Sequence, residues 1–216
     1  MTSWNPEVFD RHIDPIFTEF SSAEIPEPAF GTDGHYWMTD YFLNSTFGDR
    51  FEGRSHQLIM GFIWRSQLCF QNYSSAREST LGYLDAHDPT KPKFTLYFRA
   101  LGAWEIFLLN GMIAIDYLNK IKGQNSFAAG DGTKEQRIWE SGNDIKHMQS
   151  SLKTGSTNHY AILPIILTNV GVKTSSGNLV SYLEMFELLQ DFENIVDEVK
   201  DPRGMLEKRL AEEKEQ

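Results

Sequence analysis

A chain of 216 residues, 40% hydrophobic and 13% aromatic, has the apolar content to bury a core, which excludes disorder over its whole length and suits one domain. Its formal net charge of -10 excludes general nucleic-acid binding by bulk charge, because phosphates are neutralised by Lys and Arg. The charge is uneven, however: from Glu184 onward there are 11 acids and 5 bases, net -6, so the rest of the chain carries only -4 of the total.

The single cysteine, Cys69, permits no intrachain disulfide and lies in an apolar run, as a buried filler does. No basic start followed by an apolar run opens the chain, so no signal peptide is expected. The longest apolar stretch, LGAWEIFLLNGMIAIDYL, is interrupted by Glu105, Asn110 and Asp116, which argues against a membrane span. The expected setting is cytoplasmic.

Residues 1–43 read as an irregular, aromatic-rich arm that packs on the core; IPEPAFGTDG is a loop, and HYWMTDYFL opens a short helix. From Arg54 to Asp85 apolar residues recur at helical spacing: Leu58, Phe62, Cys69, Tyr73 and Ala76, widened by Ile59, Ile63 and Phe70. HDPTKP ends that helix, since Pro89 and Pro92 lack backbone donors. Phe94 to Lys122 is a second helix, apolar on most sides and therefore central, ended by Gly123.

The third helix runs from Thr133 to Lys153, with Thr133 and Gln136 spaced as a capping box. YAILPIILTNVGVKTSSGN, broken by Pro164 and Gly171, is a short strand or an extended segment lying on the bundle. A fourth helix is expected to start near Ser176 or Asn178, both good N-caps, and to bury Leu179, Leu183, Phe186, Leu189, Phe192, Ile195 and Val196. Residues 201–216 form a charged tail that reads as ordinary solvated helix and also suits docking to a protein partner. The expected fold is all-α: an antiparallel bundle of four long helices over residues 44–200, with a short extended insert before the last helix.

On the third helix a step of 100° per residue places Gln136, Glu140, Asn143 and His147 close to one line, with Asp144 beside them. Ile138, Ile145, Met148 and Leu152 form the core stripe on the far side, with Trp139 at its edge. The plain reading of the first face is the wet side of an ordinary helix, with Lys146, His147 and Lys153 in the half where positive charge suits the macrodipole. Gly142 in mid-helix costs about 1 kcal/mol against Ala and implies close approach by another helix or a ligand.

The six residues GNDIKH, Gly142 to His147, resemble the helix motif of the HEPN family: an Arg, a polar residue, then a His four to six residues after the Arg. The resemblance covers Arg54 to Val199 in outline, and only these six residues specifically. It implies a helical bundle acting as a homodimer, found in toxin–antitoxin or phage-defence systems, whose members are metal-independent ribonucleases or bind RNA, nucleotides or protein partners. It assigns His147 as general acid/base and Asn143 as positioning residue, with Lys146 or Arg137 as a substitute cation; Glu140, Asp144 and Arg137, on the same helix, are candidate binding residues. In this sequence Gly142 stands where the motif places its Arg, and the nearest arginine, Arg137, is about 80° round the helix. Arg65, Arg77 and Arg99 on the other helices are further candidate cations.

The favoured reading is therefore a non-catalytic or weakly active binding module, and the alternative a ribonuclease using His147. No cofactor and no metal is expected: Asp144 and His147 match one half of a di-iron motif with no second half, and His56, His87 and His147 stand at no ligand spacing. The chain has neither G-x-x-x-x-G-K-[ST] nor G-x-G-x-x-G. GDGTK, residues 130–134, is a loop and helix cap, and Glu105 in the most apolar helix calls for an ion-pair partner.

Overall fold

The computed structural model describes residues 19–28, 36–48, 54–86, 88, 93–154 and 163–200. The described elements are α1 (Trp37–Gly48), α2 (Arg54–Asp85), α3 (Phe94–Lys122), α4 (Lys134–Thr154), β1 (Ile165–Leu167), β2 (Gly171–Thr174), β3 (Leu179–Ser181) and α5 (Tyr182–Val199). His87 and residues 201–216 lie outside the described residues.

α3 is the axis of the molecule. Its length and sequence bury Tyr97, Leu101, Trp104, Phe107, Leu108 and Ile115, and the left-handed Gly123 (φ 68°) closes it. α2 runs antiparallel beside it, as the pairs Tyr83–Tyr97, Tyr73–Trp104 and Gly61–Tyr117 show. A buried relay fixes their register: the Trp104 indole donates to Thr80 Oγ1 (2.9 Å), whose hydroxyl donates to the Ala76 carbonyl (2.7 Å).

α4 lies along the other flank of α3. A Cβ on Gly142 would stand 2.6 Å from Met112 Cβ and 2.8 Å from the Leu108 carbonyl oxygen, so the helices meet there backbone to side chain. The close approach expected of Gly142 is thus made to a helix, and the position has no room for an arginine.

α5 covers the seam between α2 and α3, with Phe192 edge-on to Phe62, Phe186 near Tyr73, and Tyr182 near Trp104. Residues 19–28 cover the far end of the same side. Phe20 stacks on Tyr83 and is buried with Ile25, while Tyr73 Oη and Arg77 Nε donate to the Pro26 and Ile25 carbonyls. The start of α1 is held from α2, where Gln67 Oε1 accepts from the Met38 amide (3.2 Å).

The helical expectation holds in its main part and needs two corrections. The insert is a three-stranded antiparallel sheet of order β1-β2-β3, pairing Ile166 with Lys173 and Val172 with Val180, so the fold is predominantly helical rather than all-α. Gly171 is required for the pairing, since a Cβ there would lie 2.1 Å from the Val180 carbonyl oxygen. The last helix begins at Tyr182, not near Ser176 or Asn178. Its N-cap is Ser181, which accepts from the Glu184 amide while Glu184 accepts from the Ser181 amide. Leu179 accordingly belongs to β3, and both it and Leu183 are exposed rather than core.

Candidate functional site

α4 presents three faces, each set by residue type. The face toward α3 is small and apolar, with Ile138 and Gly142 fully packed. The second is polar yet bound to the rest of the molecule. Arg137 pairs with Glu184 of α5 and donates to the Gly132 carbonyl. Ser141 Oγ and the Arg137 carbonyl accept from the Asn178 amide, each at 2.7 Å. Asp144 accepts from Thr174 Oγ1 (3.1 Å) and from Ser176 Oγ. Arg137, Ser141 and Asp144 stand at i, i+4 and i+7 and seat the β2–β3 turn and the start of α5.

The third face looks outward. His147 and Lys146 are exposed and Asn143 is half-buried, and none of the three is bonded to a described residue. Glu140 borders this face, its Oε1 accepting from Gln136 Nε2 (2.7 Å). Gln136 itself is buried, 6% exposed, because its Oε1 accepts from the Gly132 amide and its own amide donates to Thr133 Oγ1. The capping arrangement at this end is therefore shared with Asp131, which accepts from the Thr133 amide and hydroxyl. Those bonds, the Thr133 amide foremost, hold the Asp131 carboxyl below its ordinary value.

The six residues read as a site thus fall into two sets. Asn143, Lys146 and His147 share an open face with Glu140 at its margin, whereas Arg137 and Asp144 are held by intramolecular bonds. Burial opposes the charge on Glu184, but its bonds to Arg137 and Ser181 outweigh that and hold its carboxyl below the usual range. Among the other cations, Arg65 Nη1 donates to Asn110 (2.9 Å) and Arg77 is bound to residues 25 and 27, while Arg99 is exposed on the outer side of α3.

For metal chemistry, no group of three or more His, Cys, Asp or Glu side chains gathers among the described residues. His56 stacks on Tyr41 and shares a 3.0 Å hydrogen bond with its hydroxyl, whose pKa burial pushes up to about 12. Burial likewise raises the pKa of the Cys69 thiol, which makes it a poor nucleophile. Glu105 is half-buried, and among the described residues it has no ion-pair partner; burial raises its carboxyl.

The reading from sequence missed the polar latch on α4, although its signal was present. Arg137, Ser141 and Asp144 repeat at helical spacing between the wet face and the core stripe, as an amphipathic stripe does when its partner is polar. One helix among the described residues, α3, is long and apolar enough to cross a membrane, and 61% of its apolar window is buried inside the molecule. The chain matches no protein-family model, no curated protein and no solved structure.

Proposed function

We propose that this protein is a HEPN-like, non-catalytic or weakly active binding module that uses the outer face of α4 to contact RNA, a nucleotide or a protein partner, in a toxin–antitoxin or phage-defence setting. One observation carries the preference for binding over cleavage. The motif position for arginine, Gly142, is filled by Met112 and Leu108, and the neighbouring Arg137 is committed to Glu184. A scissile phosphate developing charge needs a cation close by, and among the described residues the exposed cations on that side of α4 are lysines, Lys146 and Lys153. A point charge on a flexible stem suits phosphate attraction better than bidentate transition-state grip.

Ribonuclease activity is the second reading, favoured by His147 being exposed beside Lys146 and without a partner among the described residues. A histidine so placed is open to a bound substrate as a proton donor or acceptor. The homodimer implied by the same resemblance is supported by the outer side of α3, which exposes Phe98 (42%) and Ile106 (49%). A monomer mass by light scattering would overturn that part. The C-terminal acidic region, net -6 from Glu184 onward, supports a basic protein partner.

The test is anisotropy of a labelled single-stranded RNA with wild type and Lys146→Glu, alongside cleavage of the same RNA in EDTA with wild type and His147→Ala. Binding that falls about tenfold in the Lys146 variant, with no cleavage, supports the module. Cleavage lost in His147→Ala supports the nuclease instead. RNA binding that ignores Lys146 would remove this face from the function.

A further inference from the structure

A cleft of about 390 Å³ opens between the end of α3, the loop after it, the first turn of α4 and the middle of α5. It lies on a different part of the surface from the Asn143–Lys146–His147 face, and nothing argued about it depends on that face. Its floor is apolar: Ile115, Leu118, Leu188, Phe192 and Ile195. Its rim carries charges of both signs, set on separate walls. Lys122, in the last turn of α3, is exposed and has no ion pair among the described residues. On α4 and α5 the same cleft is lined by Glu135 and Asp191, two carboxylates that share a single cation, Lys134, at 3.3 and 2.8 Å.

Among the described residues the Glu135–Asp191 pair therefore keeps one uncompensated negative charge, and Lys122 one positive charge. Burial works against the charge of Lys134, but the two carboxylates outweigh it and hold its ammonium above the ordinary value, so Lys134 stays a fixed cation between them. The amides of Gln124 and Asn194 complete the rim as neutral donors and acceptors.

We propose that this cleft binds a free α-amino acid with a large apolar side chain, of the leucine or phenylalanine class. The ammonium group meets the Glu135–Asp191 wall, the carboxylate meets Lys122, and the side chain covers the floor. An apolar body with a few convergent polar groups at its mouth is the usual form of a small-molecule site, and this volume lies within the usual range of about 300–1,000 Å³. A nucleotide fits poorly, because its phosphates would lie against the carboxylates. A peptide end fits only half of the rim, since it offers one charge where the cleft presents two.

The experiment is isothermal titration of the full-length chain with L-leucine and L-phenylalanine, with N-acetyl-L-leucine, L-leucinamide and adenosine as comparators. The acetylated and amidated forms stand for the C-terminal and N-terminal ends of a peptide. The expected result is binding of L-leucine or L-phenylalanine, weakened about tenfold or more when either charge is blocked. Lys122→Gln should weaken L-leucine to a similar degree, and Asn194→Trp, which fills the mouth from an exposed position, should abolish binding, both with unchanged circular dichroism. The proposal is overturned by no binding of either amino acid up to about 10 mM, by equal binding of the blocked forms, by indifference to Lys122→Gln, or by preference for adenosine.

Discussion

Gly142 and Gly102 are both mid-helix glycines, and the structure gives them opposite consequences. Helix propensity alone favours Ala over Gly by about 1 kcal/mol. At Gly102 nothing lies within 4 Å of an added Cβ, so Gly102→Ala should stabilise the protein by about 0.5–1 kcal/mol. At Gly142 the added carbon meets the Leu108 carbonyl at 2.8 Å, and a backbone atom does not swing aside. Overpacking of this kind costs about 1–3 kcal/mol, so after the propensity gain Gly142→Ala should be net destabilising by up to about 2 kcal/mol. Denaturant titration of both variants checks the pair, and a gain in stability at Gly142 would contradict the packing described. The same contact leaves no room for an arginine at position 142 without separating α3 from α4.

Among elements, the junction of α4, the sheet and α5 depends on polar bonds more than on apolar area. Glu184 occupies the N3 position of α5, completes the capping box with Ser181 and pairs with Arg137 across the junction. Glu184→Gln preserves the cap, because an amide oxygen accepts from the Ser181 amide equally well, and removes the ion pair. The wild-type carboxyl is held below its ordinary value of 4.5. Its contribution is therefore fully present above that value and is lost as pH falls through the depressed folded pKa. The expected outcome is that Glu184→Gln is less stable than wild type by about 1 kcal/mol at neutral pH, a figure suited to a partly exposed pair. Thermal melts should show the difference vanishing in acid, and a difference that persists at pH 2 would contradict it.

Across the whole molecule, α3 is enclosed by α2, α4 and α5 but keeps one open side. Glu105 lies on α3 between enclosed and open positions, with no compensating cation among the described residues. Its carboxyl is raised by burial, so folding favours the protonated form. The penalty is absent below the unfolded pKa and complete above the folded one. Glu105→Gln should accordingly melt higher than wild type at pH 7, with the gain fading as pH falls through the raised folded pKa and gone below the ordinary value of 4.5. An unchanged or lower melting temperature at pH 7 would show that Glu105 has a stabilising partner.

The sequence by itself determined the positions of the long helices. Apolar spacing over Arg54–Asp85 and Phe94–Lys122, a proline-rich stop and a left-handed glycine are local signals, and many residues repeat each one. It also marked Gly142 as a point of close approach, because a mid-helix glycine has a cost that packing must offset. A short strand was one of the two readings of YAILPIILTNVGVKTSSGN, but the three-stranded sheet stayed hidden, since each strand is three or four residues long and their pairing joins segments whose proximity only folding creates. The same reason applies to the face of α4. Helical periodicity placed Glu140, Asn143 and His147 on one side, but tertiary structure decided which polar residues remain free. It assigned Arg137 to Glu184 and Asp144 to the β2–β3 turn, and left Asn143, Lys146 and His147 facing outward, because a polar side chain's role depends on the partner that packing brings to it.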